Sequence, residues 1–366
     1  MIWIKVADAV LLHHEEVPLL RYRTEVFRID EAGRLLSWAQ NGWTFRRGLD
    51  GTVLALQGHQ ENGHRFQRVR RLEGAERCLA LEEARLRLRQ LGALTELDWE
   101  EDAALFRRLY GRVGILPPDR YRSLVLQLTR GCSYNRCGFC TFYRGEPHRV
   151  RSREPFRRHV EEVCSAFGPG LASLRGVFLG EGNAASLSTG TLMDALGVVR
   201  EAGLGDVGAF LDTFTTARSA SEWAELVSAG LRELYLGVES GSKLVLKLLR
   251  KPGSPGRVAS LVGALKGAGL SVSVILLCGA GGHEHATRHL TESAGLLRRL
   301  PLGRGDRVYL SDLEVVPGTP YAGLGLTPMS RLKCREQGAR LRELAGFEPP
   351  PRGPAVTWYD VRQFAY

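Results

Sequence analysis

The sequence contains no run of about eighteen apolar residues, the length a helix needs to cross a bilayer, so no transmembrane helix is expected. Its first twenty residues carry Asp8, Glu15 and Glu16. They lack the basic start, long apolar middle and small-residue cleavage site of a signal peptide. A cytoplasmic location is the expectation that follows. Internal repeats and low-complexity tracts are absent as well. Cysteine is scarce: Cys78, Cys132, Cys137, Cys140, Cys164, Cys278 and Cys334 are the seven in 366 residues. An odd count, with three crowded together and four scattered, excludes a disulfide scaffold and fits a reducing compartment with one metal site.

What is present is an ordinary globular composition, 44% apolar, in a chain long enough for one large domain and a smaller one. The net charge is +10. A basic protein can meet nucleic acid, an anionic membrane face or phosphorylated substrates. Here the arginines are dispersed rather than gathered in one block, which suits solvated basic faces equally well.

Three regions follow from pattern. Residues 1–118 read as a small β-rich domain, with short strands at Thr24–Ile29, Arg34–Trp38, Trp43–Arg47, Thr52–Gln57 and Arg65–Arg70, glycines at or near the breaks, and two helices around Leu81–Leu91 and Glu100–Tyr110. Trp38, Trp43, Phe45, Arg46, Arg47 and Phe66 are either the core of that domain or a substrate lid or partner surface. Residues 119–320 alternate buried-type strands (Leu124–Leu128, Val177–Leu179, Val207–Leu211, Leu234–Val238, Val272–Leu277 and Val308–Leu313) with helices. The fold class is therefore α/β: six β/α units curled into a partial, TIM-like barrel whose chemistry sits on loops at the C-terminal strand ends. Residues 321–366 read as an extension, a helix over Pro328–Leu344 and a Pro-rich, aromatic tail.

The first barrel strand runs directly into Gly131-Cys132-Ser133-Tyr134-Asn135-Arg136-Cys137-Gly138-Phe139-Cys140, a C-x4-C-x2-C spacing on a loop at the active face. Cysteine thiolates are the usual ligands of 4Fe-4S clusters, and three of them leave one iron open to a small molecule. The same thiols, with His148 as a fourth ligand, also suit zinc, which would make the chain a non-enzymatic metal-binding protein. Purely structural thiols are a third reading.

The stretch from about Tyr121 to Tyr321 resembles the radical S-adenosylmethionine (SAM) superfamily. It is most similar to a poorly characterised branch whose cluster loop reads Gly-Cys-Ser-His-Asn-Lys-Cys-Thr-Phe-Cys. The commonest superfamily spacing is C-x3-C-x2-C, so this loop is one residue longer. The resemblance implies a 4Fe-4S cluster on Cys132, Cys137 and Cys140 with SAM on the open iron. An electron from the cluster would break the sulfonium bond to the 5′ carbon, and the resulting 5′-deoxyadenosyl radical would abstract hydrogen from a substrate, expected to be a small metabolite. A flavodoxin- or ferredoxin-type electron donor is implied too. An enzyme of the same chemistry acting on RNA is the rival that the positive charge supports, although no familiar RNA-binding module is visible.

Site residues follow from the same resemblance. Phe139 takes the aromatic position near the adenine, or is a core aromatic. Gly180-Glu181-Gly182-Asn183, after the second strand, matches the Gly-rich segment that binds the methionine amino group; Glu181 would accept from the ammonium. Its plain alternative is a tight strand-to-helix turn. Glu239 and Ser240, within Gly237-Val238-Glu239-Ser240-Gly241-Ser242, match the segment that reaches the ribose or the carboxylate of SAM, though Glu239 also suits a structural ion pair. Leu277 and Gly279 lie where the backbone runs along the adenine. Cys278 reads as a buried small apolar residue, and His289, in His-Leu-Thr-Glu-Ser, as a packing or capping residue that also matches the branch. Val316–Pro320 resembles a common closing segment. Arg149 and Arg151 suit the SAM carboxylate or a substrate anion, or simply a solvated helix entrance. The scattered cysteines predict no second cluster, and the Asp-x-His-x-x-Gly of a cobalamin module is missing.

Overall fold

The computed structural model describes residues 25–93, 96–215 and 217–366, together with the strand backbone at 5–6, 9–14 and 17–22. Thr24, where the first expected strand was to begin, and the rest of the N-terminal stretch read for a signal peptide lie outside the described residues. Two compact units are present. One comprises Met1–Val113, Glu161–Arg175 and Arg362–Tyr366, the other Gly114–Val160 and Gly176–Val361. The second therefore takes in most of the C-terminal stretch expected as an extension.

Among the described residues the first unit is an antiparallel meander of eight strands in sequential order: β1 (Lys5–Val6), β2 (Ala9–His14), β3 (Val17–Tyr22), β4 (Glu25–Ile29), β5 (Leu35–Gln40), β6 (Trp43–Arg47), β7 (Val53–Glu61) and β8 (His64–Leu72). Helices α1 (Gly74–Gln90) and α2 (Trp99–Tyr110) follow. No strand was expected at β1–β3, where Pro18 and the acidic pair Glu15-Glu16 weaken the local strand signal. Phe27, Leu35, Trp38, Val53, Ala55 and Leu72 form one apolar sheet face packed on Ala80, Leu81, Ala84 and Leu88 of α1. Trp38 stacks on Phe45 at 4.8 Å, and Trp43 packs against the same cluster. Trp38 is thus a core residue, while Trp43 and Phe45 are partly buried against it.

The second unit opens with β9 (Leu124–Gln127), the two-residue strands β10 (Thr129–Arg130) and β11 (Arg149–Val150), and α3 (Arg153–Phe167). Then come β12 (Val177–Gly180), α4 (Thr189–Glu201), β13 (Val207–Leu211), α5 (Ala220–Ser228), β14 (Leu231–Glu239), α6 (Lys243–Leu248), α7 (Pro255–Gly267), β15 (Ser271–Cys278), α8 (Ala286–Leu297), β16 (Arg307–Asp312), α9 (Arg331–Ala345) and β17 (Ala355–Trp358). Strands β9, β12, β13, β14, β15, β16 and β17 form one parallel sheet in that order. All four residues of both β9 and β12 are buried, as parallel strands covered on both faces require.

Two expectations need correction. The tail is not an appendage: β17 pairs with β16 through Arg307↔Ala355 to Leu310↔Trp358, and α9 is its crossover helix. Four prolines between residues 349 and 354 hid this short edge strand from a propensity reading. The parallel sheet consequently has seven strands rather than six. The segments beside its two edge strands are joined by a hydrogen bond rather than by a ladder: the Tyr359 hydroxyl, just past β17, donates to the Leu116 carbonyl, before β9, at 2.6 Å. At the N-terminal strand ends the floor is polar. Asp119 accepts from the Tyr235 and Tyr309 hydroxyls, while Glu233 accepts from Arg120, Ser273 and Arg307.

Candidate active site

The candidate residues collect at the opposite, C-terminal ends of β9, β12, β14 and β15, where a β/α architecture places its chemistry. Pairing of Thr129↔Val150 and Arg130↔Arg149 clamps the base of a loop over residues 131–148, which carries the three cysteines. Inside the loop, Asn135 Nδ2 donates to the Tyr143 carbonyl at 2.8 Å and Arg144 Nε to the Cys140 carbonyl at 2.9 Å. Gly138 is held from two sides. Its N–H donates to the Leu249 carbonyl at 2.8 Å, and its carbonyl accepts from the Tyr321 N–H at 3.0 Å.

Cys132, Cys137 and Cys140 are each half-buried. Burial pushes the Cys137 thiol up to about 12 and raises that of Cys140. Each also feels the charge of the neighbouring thiols, so the three lie within electrostatic reach of one another. The donor set fits an iron–sulfur cluster: soft thiolates on one short, anchored loop, which must release protons as they bind metal. Zinc ligands converge on a single point. Among the described residues no group of three His, Cys, Asp or Glu side chains is so gathered, and His148 is exposed.

The segment after β12 packs onto this loop. Gly182 has φ +47°, and a Cβ there would lie 2.6 Å from the Gly131 carbonyl oxygen and 2.9 Å from the Cys132 Cα. Only glycine allows that backbone approach. Asn183 Nδ2 points at Cys132 Sγ, 3.7 Å away. Glu181 was expected to serve a ligand ammonium, but its carboxylate accepts from the backbone N–H groups of Gly114 (3.1 Å) and Gly131 (3.4 Å). Its proton affinity is raised, chiefly by burial. Thr129 and Glu181 also exchange hydrogen bonds through their backbones and the Thr129 hydroxyl. Gly180 ends β12 in register with Gln127.

At the end of β14, Glu239 forms a buried ion pair with Lys251, Oε1 to Nζ 2.7 Å. The reading of Glu239 anticipated an ion pair without naming its partner; a buried carboxylate demands a cation. Gly237 explains the Gly-x-Glu spacing, because a Cβ there would stand 2.5 Å from Glu239 Oε1 and 2.8 Å from Lys251 Nζ. Both charges act on Cys137 and Cys140, which places the pair beside the cysteine loop. Ser240 was expected to reach a ligand. Its hydroxyl is instead fully buried, 2.8 Å from His289 Nδ1, and accepts from the Ser242 N–H. His289 is thus a packing residue on α8, held neutral by burial with its pKa lowered to about 4.

Phe139 and Leu277 share one apolar cluster with Val245, Leu249, Ala280 and Tyr321. The Gly279 N–H donates to Gln337 Oε1 at 2.8 Å. The Arg151 guanidinium donates to the Gln127 carbonyl, so it caps the end of β9, whereas Arg149 is exposed on β11. Cys278 and Cys334 are not isolated from each other. Both thiols are buried and free, and each feels the charge of Asp312. Sequence reasoning also missed Tyr143, whose buried hydroxyl accepts from the Gly182 N–H at 3.1 Å. No local signal marks it.

Residues 126–292 match the sequence profile of the radical SAM superfamily. A tRNA-2-methylthio-N(6)-dimethylallyladenosine synthase of Alkalilimnicola ehrlichii is 28% identical over 236 residues, covering 60% of this chain and 48% of that protein. The chain thus spans about half the length of that relative. Among solved structures, methylornithine synthase aligns with a TM-score of 0.45 at 19% identity, over 74% of this chain and 80% of its own. Coproporphyrinogen III oxidase of Escherichia coli aligns at 0.43 and 16% identity, over 66% and 56%.

Proposed function

The chain belongs to the radical SAM superfamily, enzymes that work with a 4Fe-4S cluster and SAM, and we propose that the C-terminal ends of β9, β12, β14 and β15 are its active site. The observation that carries this is the anchored loop of Cys132, Cys137 and Cys140, packed on Gly182 and Asn183 and flanked by the Glu239–Lys251 pair. The cluster and SAM, when bound, would supply the one-electron chemistry for hydrogen abstraction from a small-molecule substrate. The chain's own residues bind and orient. The three thiolates hold the cluster, Glu181 fixes Gly131 at the root of the loop, and Gly180 to Asn183 receive the amino end of SAM. Phe139 and Leu277 provide an apolar wall for the adenine, with Gly279 beside them. Glu239, Ser240 and Arg151 shape the remaining rim, Ser240 through its backbone.

Anaerobic reconstitution should yield about four irons and four sulfides per chain. With SAM and dithionite the product mixture should then contain 5′-deoxyadenosine and methionine by mass spectrometry. Cys137→Ala should form neither cluster nor product. Full activity of that variant, or zinc in place of iron, would overturn the reading.

The tRNA-modifying relative favours a second reading, RNA as the substrate of the same chemistry. Salt-dependent, micromolar or tighter binding of tRNA, with hydrogen transfer to 5′-deoxyadenosine only in its presence, would select it.

A further inference from the structure

Reductive cleavage needs one electron for each SAM, and that electron must come from outside the substrate pair. A solvent-open cleft of about 410 Å³ lies against the cysteine loop, lined by Tyr134, Arg136, Cys137, Arg144, Arg250 and Pro320 among others. The cleft is built rather than incidental: the Tyr134 hydroxyl donates to the Arg250 carbonyl at 2.9 Å, and the Tyr134 ring packs edge-on to Phe214 at 5.0 Å. Arg136, Arg144 and Arg250 are exposed, and among the described residues none of them forms an ion pair with a carboxylate. Three uncompensated guanidiniums therefore line one cleft together with Cys137, which is proposed above as a cluster ligand.

We propose that this cleft is the docking site of an acidic, one-electron carrier protein, whose carboxylates meet Arg136, Arg144 and Arg250 and whose electron enters beside Cys137. The inference rests on the proposed cluster site. Electron tunnelling falls steeply with distance, so a protein donor must touch the surface nearest a ligand sulfur, and this cleft offers that surface. Its charge selects an anionic partner and steers the encounter. A polynucleotide is also anionic, but it is held by a track of phosphate contacts, whereas these charges are gathered in one cleft that Cys137 also lines. In the transfer the carrier is oxidised by one electron and the cluster reduced by one, with no bond made or broken.

The test uses the full-length reconstituted enzyme and a flavodoxin as the probe. Binding of oxidised flavodoxin is measured at low and high salt, cluster reduction by flavodoxin hydroquinone by stopped flow, and dithionite-driven 5′-deoxyadenosine formation as the control. Arg136→Glu/Arg250→Glu should weaken binding and slow flavodoxin-driven reduction by about tenfold or more, with iron content and the dithionite-driven reaction unchanged. Wild-type binding should fall as salt rises. If the charge-reversed protein folds poorly, Arg136→Gln/Arg250→Gln carries the same test with a smaller loss. Wild-type affinity and reduction rate in the variants would overturn the proposal. So would a loss of tRNA binding with flavodoxin binding intact, which would make the cleft a nucleic-acid surface. If the wild-type enzyme fails to cleave SAM with dithionite, the cluster reading fails, and the binding measurement still decides whether an acidic carrier docks here.

Discussion

Glu239 sits at φ +60°, a conformation in which a residue other than glycine is strained, and Lys251 reaches across Gly237 to meet it. Burial alone would lower the lysine's proton affinity; the Glu239 carboxylate outweighs that and raises it, so the ammonium stays charged. Removing one partner of a buried pair strands the other. Lys251→Met should therefore destabilise the metal-free protein by about 3–5 kcal/mol in chemical denaturation. Lys251→Met/Glu239→Gln should recover most of that loss, and failure to recover would mean that the pair is not the source. His289 supplies the pH-dependent counterpart. Its pKa is lowered by burial from 6.5 to about 4, so between those values the unfolded chain binds a proton that the folded chain refuses. Stability is therefore full above about pH 6.5 and is lost as pH falls toward 4, by about 3 kcal/mol from this one group. Melting temperatures between pH 7 and pH 4.5 should show a shallower decline in His289→Gln than in the wild type.

At the scale of elements, the cysteine loop is held by its neighbours more than by itself. The β10–β11 ribbon closes its base, Glu181 bonds the Gly131 N–H at its root, and the Leu249 carbonyl and the Tyr321 N–H grip Gly138. The segment after β12 fits against the loop only because Gly182 lacks a side chain. A methyl group there meets backbone atoms, which cannot turn aside as a flexible side chain would. Gly182→Ala should push the loop away from β12 and leave the thiols misplaced. The expected result is less than half the wild-type iron after identical reconstitution, with far-ultraviolet circular dichroism preserved. Wild-type iron content would show that the loop and the segment after β12 are not coupled.

At the scale of the whole second unit, seven parallel strands form an open sheet with β9 and β17 as its edges, and the Tyr359–Leu116 hydrogen bond joins the segments beside them. Both residues are buried. Tyr359→Phe keeps the ring but strands a buried carbonyl, which should cost about 1–3 kcal/mol in guanidinium unfolding. An unchanged midpoint would show that the bond does not contribute. The ends of the unit divide its work. Ionic and tyrosine hydrogen bonds around Asp119 and Glu233 close the N-terminal floor, and the C-terminal ends are left to the site.

Local pattern made much of this legible. Three thiols within nine residues keep their relation in any fold that leaves the loop intact, and buried parallel strands announce themselves as short apolar runs: Val207–Leu211 has the same bounds in sequence and structure. The order of strands and helices also implied which strand ends would carry the loops. What sequence left open was every relation set by packing at a distance. Lys251 is twelve positions from Glu239, Tyr143 thirty-nine from Gly182, and Gly114 sixty-seven from Glu181. Cys334 meets Cys278 only because α9 lies against β15. The strand β17 looked like tail because its proline-rich approach says turn, and only the free edge of β16 makes a strand of it. Periodicity and loop spacing are written along the chain. The partner of a buried charge and the strand beside an open edge are chosen by the fold, through burial that no local stretch can foresee.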